Sequence, residues 1–224
     1  MKLTTGFVLG LLLGAAGGVA ALYYNPLTEP DPPPPGDTDW ALTYRFPKGD
    51  AIAFTHGAHG RLAAHPPGIE ELWESTIGGA ALAVLTLRDA AGAPAAFASR
   101  LGAGSPRTDL LLEGAVWSDS WLLTVPGEGS LFVRADSNLW PFLKEGVVPV
   151  WYLQRPWQGP AEYRPTAGPG TGDRAVVVGA TGRFAALEGS AVEHYRLERF
   201  GTAGAEALTG EIFLRLEGQV AAAP

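Results

Sequence analysis

The sequence contains no cysteine among its 224 residues. This absence excludes disulfide bonds, thiolate nucleophiles, thiolate metal sites and a lipoprotein anchor cysteine. Basic residues are also few, since 16 Lys and Arg stand against 23 Asp and Glu for a net charge of −7. Nucleic-acid binding depends on clustered basic side chains, so a nucleic-acid partner is not expected.

Long helices are not expected beyond the N-terminus, because the chain contains 30 glycines and 19 prolines, and both residues interrupt helices. An apolar content of 46% is enough to bury the core of one large all-β domain. Short strand-like runs alternate with Gly/Pro turns, a rhythm typical of a barrel or sandwich. Within residues 109–125, Gly114 and the triplet Ser118, Asp119 and Ser120 interrupt an apolar run and predict two strands.

An apolar segment begins the chain. Residues 3–22 are uncharged, follow Lys2 and precede a stretch rich in acidic residues. This predicts one membrane-spanning helix with the rest of the chain outside, in the periplasm of a bacterium with the helix in its inner membrane. The alternative is a cleaved signal peptide, with Gly18-Val19-Ala20 as the cleavage-site residues and a secreted product.

Glycine recurs at every fourth position of this segment, at Gly6, Gly10, Gly14 and Gly18. In a helix these residues line one face, where a second membrane helix can approach closely. The stripe favours a retained anchor and predicts a helix partner, either another copy of the chain or a different membrane protein.

The chain divides into three parts. Residues 1–25 are the predicted anchor, residues 26–39 a Pro-rich linker, and residues 40–224 a β-barrel domain. A proline run adopts extended polyproline II, so the linker is expected to hold the body away from the bilayer.

Three of the four histidines, His56, His59 and His65, lie close together among glycines and prolines. Their spacing matches no standard zinc pattern and no cysteine completes one. Neither a metal site nor a cofactor is expected, and His194, which stands alone on a predicted strand, is interpreted as structural.

Residues 138–165 combine aromatic residues with prolines and cannot form one regular strand. One interpretation is a lid or contact surface, with Trp140 and Trp157 as interaction residues. The alternative is that residues 147–153, which include Trp151, form an ordinary core strand.

A glycine-rich segment at residues 179–189 gives the most specific fold signal. An apolar run leads into Gly-x-Thr-Gly-x-Phe-x-x-x-x-Gly, and a long strand, a glycine turn and a final strand follow. Over residues 174–217 this order resembles the C-terminal part of the allene oxide cyclase barrel-like superfamily, which includes the dirigent proteins. The matching residues are Gly179, Thr181, Gly182, Phe184 and Gly189.

The resemblance implies an all-β fold, an eight-stranded antiparallel barrel with an interior cavity, often assembled as trimers. Members of the superfamily bind hydrophobic small molecules there, and some steer a cyclisation without a cofactor. The matched residues build the fold and contribute no catalytic group.

Candidate ligand-binding residues are therefore polar or aromatic side chains able to point into the barrel. The alternative is that most of them face solvent, because half of every strand faces outward. An isolated carboxyl inside a barrel has a raised pKa and can act as an acid or base. The candidates are Tyr44, Glu113, Trp117, Arg134, Trp151, Glu193, Tyr195 and Glu211.

Three functions remain open. The first is a membrane-anchored barrel that binds a small hydrophobic ligand. The second is an accessory subunit of a membrane protein complex, and the third is a cofactor-independent cyclase or isomerase acting on a lipophilic substrate.

Overall fold

The structure is a computed structural model that describes residues 2–28, 40–46, 51–55, 80–166, 175–201 and 204–218. Apart from an N-terminal helix, the described residues are mostly strands. The ten strands are β1 (Trp40–Phe46), β2 (Ala51–Thr55), β3 (Ala80–Arg88), β4 (Pro94–Gly104), β5 (Val116–Val125), β6 (Gly129–Asn138), β7 (Trp157–Tyr163), β8 (Ala175–Ala180), β9 (Glu188–Gly201) and β10 (Gly204–Glu217).

Eight of these strands close into an antiparallel barrel in the order β1-β10-β9-β8-β6-β5-β4-β3. The ring is completed where Thr43 of β1 pairs with Arg88 of β3. Strand β2 pairs with the first half of β3, and β7 pairs with the second half of β9. The expected eight-stranded antiparallel barrel is confirmed.

The two ends of the barrel differ. At one end, here called the turn end, lie the β5–β6 turn and the short 3-10 turn Gly182–Phe184. At the other, the helical end, residues 140–153 form a helical cap over the barrel. The cap consists of α2 (Trp140–Phe142), a π-helical turn (Leu143–Val147) and α3 (Val148–Leu153).

Alternation along the strands fills the barrel interior with side chains. On β5, Asp119, Trp121 and Leu123 are buried while Ser118 and Ser120 are exposed. The predicted break at residues 118–120 is therefore wrong, because the strand continues and simply turns two serines outward. Leu42, Leu87, Leu123, Leu131 and Leu214 are almost fully buried in the main core.

The helical cap corrects a second prediction, because residues 147–153 form α3 and the end of the π-helical turn, not a core strand. Pro149 lies in the first turn of α3, where proline fits because its missing N–H would have no helical partner. Val147 and Val150 are buried against Leu197 and Phe200 of β9 in a second, smaller core cluster.

The N-terminal helix α1 (Lys2–Tyr23) is exposed over most of its length. It is long and apolar enough to cross a membrane, a property that anchors and signal sequences share. Within the part of the chain that the structure describes, nothing packs against Gly6, Gly10, Gly14 or Gly18. Their predicted contact with a second helix stays a prediction.

The first residues of the predicted linker contact the barrel. Pro26–Thr28 form a 3-10 turn, Thr28 is buried, and its carbonyl oxygen accepts a hydrogen bond from Asn138 Nδ2 at 2.7 Å. The predicted spacer role is therefore not seen at the start of the linker, and residues 29–39 lie outside the described residues.

The glycine-rich segment forms the turn between β8 and β9, as its sequence predicts. Gly182 has φ of 63°, and a side chain there would collide with the carbonyl oxygen of Glu128. Thr181 Oγ1 accepts a hydrogen bond from the Ser130 backbone N–H at 3.0 Å. Phe184 is buried and packs on Trp40, so this turn plugs the turn end of the barrel.

Candidate functional site

A buried carboxyl group lies at the centre of the barrel. Glu193 is on the inward face of β9 and is 4% exposed. Its Oε1 accepts hydrogen bonds from Tyr44 Oη at 2.6 Å and from Arg100 Nη1 at 2.9 Å. Its Oε2 is buried and has no hydrogen-bond partner among the described residues. A buried polar atom without a partner is costly, which marks this oxygen as a position that a further group can occupy.

Arg100 connects Glu193 to a second buried carboxylate. Its Nε and Nη2 donate to the two oxygens of Asp119 at 2.8 and 2.7 Å, a bidentate geometry that is the strongest form of this ion pair. Asp119 also accepts hydrogen bonds from Ser137 Oγ and Trp117 Nε1. The Arg100 guanidinium also lies 4.6 Å from the centre of the Trp121 ring. Its three nitrogens and one of its faces therefore all have partners.

The network contains two carboxyl groups and one guanidinium, so one carboxyl lacks a full counter-charge. Burial raises the pKa of Glu193, although Arg100 opposes the shift. Burial and the neighbouring Glu193 carboxyl raise the pKa of Tyr44 well above its usual value, so Tyr44 stays protonated and donates. Because Oε1 already accepts two hydrogen bonds, a proton taken up by Glu193 belongs on Oε2.

Glu193 borders a small void in the barrel. The void has a volume of about 10 Å³, which is about what one water molecule needs. Apart from Glu193 and the hydroxyl of Thr166, its lining is apolar, and three of the lining residues are alanines. The apolar lining residues are Trp121, Leu123, Val133, Ala135, Ala175, Ala191 and Ile212.

On the side of β9 that faces away from β10, few strand pairs flank Glu193 among the described residues. On that side, β8 pairs with β9 at Gly189 and Ser190, and β7 pairs with it from Tyr195 onward. Between these points, the Glu193 backbone N–H donates to Thr166 Oγ1 at 2.8 Å. Among the described residues, a side-chain hydroxyl thus replaces the ladder bond that a neighbouring strand would make.

Two glycines make room for the network. A side chain at Gly210 would collide with the ring of Tyr44, and one at Gly102 would collide with Trp117 Nε1 and Asp119 Oδ1. Glycines inside strands allow close approach of this kind. They allow the Tyr44 ring to lie across β10 and the Trp117 indole to reach Asp119.

The structure brings together only part of the predicted ligand-binding set. Tyr44, Glu193 and Tyr195 are buried inside the barrel. Tyr44 and Glu193 form one hydrogen bond, whereas Tyr195 packs with Phe142 in the cluster beneath the helical cap. Trp117 is half-buried at the helical end of β5.

Three candidates do not face the interior. Arg134 is exposed on the outward face of β6. Glu211 also points outward, where it lies 3.6 Å from His194 Nδ1. Glu113 is not on a strand and lies 3.6 Å from Arg107 in the loop before β5. They were candidates as residues able to point inward, and the sequence did not fix which half of each strand faces the interior.

The aromatic candidates belong to the helical end. Trp151 and Trp157 are half-buried against the smaller core cluster, and Trp140 Nε1 donates to the Leu22 carbonyl of α1 at 3.3 Å. Trp140 thus contacts the chain's own N-terminal helix. His56, His59 and His65 lie outside the described residues.

Sequence reasoning missed Arg100 and Asp119. Both stand at inward positions on strands whose other inward residues are small or apolar, Ala98 beside Arg100 and Trp121 beside Asp119. The sequence could have indicated them, because each is a charged residue at a strand position where the alternation predicts an inward, apolar side chain. The serines flanking Asp119 concealed it, because they resemble a turn.

These features define a closed antiparallel β-barrel, filled by side chains, with a buried carboxyl group beside a small void. No protein-family model matches the sequence, and no curated protein matches it significantly. The allene oxide cyclase assignment itself therefore has no family match behind it.

Two solved structures align with this chain at low identity. The Diels-Alderase AbmU from Streptomyces koyangensis aligns at 13% identity and a TM-score of 0.41, over 84% of this chain and 75% of that one. A nonspecific heme-binding cyclase that catalyses a [4 + 2] cycloaddition in neoabyssomicin biosynthesis aligns at 12% identity and a TM-score of 0.40, over 84% and 73%. At these TM-scores the likenesses carry no argument about the chemistry of this chain.

Proposed function

We propose that this protein is a membrane-tethered β-barrel that binds one small, largely apolar molecule inside the barrel, with Glu193 holding the molecule's polar group. The observation that carries the proposal is Glu193, which lines a largely apolar void and whose Oε2 is buried and has no hydrogen-bond partner among the described residues. Binding sites for small apolar molecules combine such a lining with a few placed polar groups.

The size of the void limits the ligand. About 10 Å³ holds a water molecule and nothing larger, so an organic ligand must move side chains such as Leu123 or Ile212. Ala135, Ala175 and Ala191 contribute only methyl groups to the lining of the void. A ligand with one hydrogen-bond donor satisfies the ionised carboxylate, and one with an acceptor satisfies the protonated form.

Native mass spectrometry of the full chain, released from membranes, tests the binding function. We expect the wild type to carry a bound organic molecule. Glu193→Gln should weaken its binding, and Ala175→Leu should abolish binding by filling the void. Glu211→Gln is the matched control, since that carboxyl lies on the outer surface. A wild type without bound molecule, or equal binding by Ala175→Leu, would rule out the interior site.

A second function, cofactor-independent cyclisation or isomerisation, is favoured by the Tyr44–Glu193 pair. Glu193 Oε2 is the carboxyl oxygen without a hydrogen-bond partner among the described residues, so it is the atom available to give or take a proton. Burial raises the pKa of this carboxyl above its usual value, the kind of shift that prepares a carboxyl for general acid or base catalysis. Tyr44 and Arg100 hold the carboxyl by its other oxygen, which fixes its direction.

Deuterium exchange separates catalysis from binding. The molecule recovered with the wild type is incubated with the protein in D₂O, and its mass and constitution are followed. Deuterium uptake or rearrangement with wild type but not with Glu193→Gln supports catalysis. A bound molecule that stays unchanged with both proteins leaves binding as the function.

A further inference from the structure

We propose that the barrel rests with its helical end on the membrane surface, where exposed leucine and tyrosine side chains enter the lipid headgroup and upper acyl region. The proposal rests on the membrane tether of the proposed function and adds how the body sits on it. The partner is the bilayer in which α1 is anchored, contacted by its lipids and not by another protein.

The first argument is that α1 is fastened to the helical end. Tyr23 Oη donates to the Lys144 carbonyl at 3.1 Å, and Trp140 Nε1 donates to the Leu22 carbonyl. Asn25 Nδ2 donates to the Leu111 carbonyl at 2.7 Å. These bonds reach both the helical cap and the loop before β5, so the last turn of α1 has a fixed place against the barrel.

The second argument is the side chains that surround this junction. Six large apolar or aromatic residues of the helical end and the adjoining chain are each more than half exposed: Tyr24, Leu27, Leu111, Leu112, Tyr152 and Leu153. Leucines of this kind favour the acyl boundary of a bilayer, and tyrosines favour the headgroup level. Exposed apolar side chains at the end of the barrel that holds an apolar helix fit a body that meets the membrane.

The third argument is the direction of the chain. Thr28 is bound at the helical end, whereas Trp40 packs on Phe184 at the turn end. Thr28 and Trp40 thus lie at opposite ends of the barrel. The start of the predicted linker lies against the end to which α1 is fastened.

Two of the basic side chains near this surface are not free to bind lipid phosphates. Arg107, next to the leucine-bearing loop, is paired with Asp136 at 2.7 Å and Glu113 at 3.6 Å, and Lys144 is buried beside Tyr23. The exposed charged residues nearby, Asp109, Glu145 and Arg155, are of mixed sign. The proposed seating therefore relies on the apolar side chains.

Single-cysteine labelling tests the seating, and the absence of native cysteine makes each label unique. Full-length Leu112→Cys and Leu153→Cys, labelled with an environment-sensitive fluorophore, are placed in phosphatidylcholine nanodiscs that contain doxyl-labelled lipid. We expect several-fold stronger quenching at these positions than at Ala91→Cys, on the turn end, or Val178→Cys, an exposed apolar position on the barrel wall. Substitution at such exposed positions costs little stability.

A label at Leu9→Cys, within α1, distinguishes the membrane tether from the seating of the barrel on the membrane. Strong quenching at Leu9 with only control-level quenching at Leu112 and Leu153 would overturn the seating while leaving the tether. Absence of quenching at Leu9 would overturn both the tether and the seating. Ligand detection in the barrel is measured independently of either result.

Discussion

Glu193 binds a proton more tightly in the folded chain than in the unfolded one, because burial raises its pKa above the ordinary value of 4.5. The stability contributed by the protonated form is fully present below pH 4.5. It is lost as the pH rises through the raised pKa of the folded state, where the native state binds more protons than the unfolded state.

This linkage predicts a pH-dependent difference between wild type and Glu193→Gln. As the pH rises above 4.5, we expect the free energy of unfolding of the wild type to fall relative to that of the variant, which has no carboxyl to ionise. Urea unfolding of both proteins at a series of pH values measures the difference. Glu211→Gln should follow the wild type, and a constant difference between wild type and Glu193→Gln would contradict the raised pKa.

Arg100 gives a second prediction at the scale of one side chain. Arg100→Met leaves Asp119 buried without its ion pair, and we expect a loss of about 3 kcal/mol in the free energy of unfolding. Arg107→Met removes an exposed pair with Asp136 and should cost less than about 1 kcal/mol. Denaturant titrations of the two variants compare these costs, and equal effects would show that the buried network adds no stability.

For single residues, the sequence predicted which side chains can do chemistry better than it predicted which of them face the barrel interior. Tyr44 and Glu193 were identified as candidates because they lie on strands and carry groups able to do chemistry. Arg134 and Glu211 face outward, which the sequence could not indicate because a shift of one residue along a strand turns a side chain from the interior to the solvent. The partners of Glu193 come from strands far away in sequence, so no local pattern joined Arg100 to it.

Among the elements, the β8–β9 turn is where sequence and structure agree most closely. Gly182 needs the left-handed conformation, and its Cα hydrogen faces the Glu128 carbonyl where any side chain would collide. Such a requirement is local, which is why a short glycine pattern sufficed to predict it.

The turn predicts unequal effects for two glycines three residues apart. Gly182→Ala should lower the free energy of unfolding by at least about 2 kcal/mol, because it adds a strained backbone and a collision. Gly179→Ala places its methyl group 3.7 Å from the Phe132 ring, an ordinary contact, and should leave stability unchanged or slightly raised. Thermal unfolding of both variants measures the contrast, and similar melting temperatures would contradict this account of the turn.

The helical cap, in contrast to the β8–β9 turn, could not be predicted from local sequence. Residues 147–153 form a short apolar run, which is compatible with a buried strand or a buried helix, because periodicity does not separate the two at this length. The outcome is decided by packing: Val147 and Val150, three residues apart, both reach the cluster around Phe200. That spacing suits one face of a helix.

For the whole molecule, the alternation of short strands with turns and the family resemblance predicted the closed barrel. They did not predict that side chains fill its interior. Volume inside a barrel depends on which side chains meet across it, and these come from all the strands of the ring. The position of α1 was also beyond the sequence, since the hydrogen bonds that fasten it join residues such as Tyr23 and Lys144 that lie far apart in the chain.

The pairing of the first barrel strand with the last has a consequence for biosynthesis. Strand β1 finds its partner β10 only when residues 204–217 have been synthesised. Neighbouring strands β3 to β6 can form hairpins first, because local contacts form faster than distant ones. A chain that stops before β10 would leave both β1 and β9 with an open edge. Premature termination therefore produces an aggregation-prone open sheet, and not a smaller barrel.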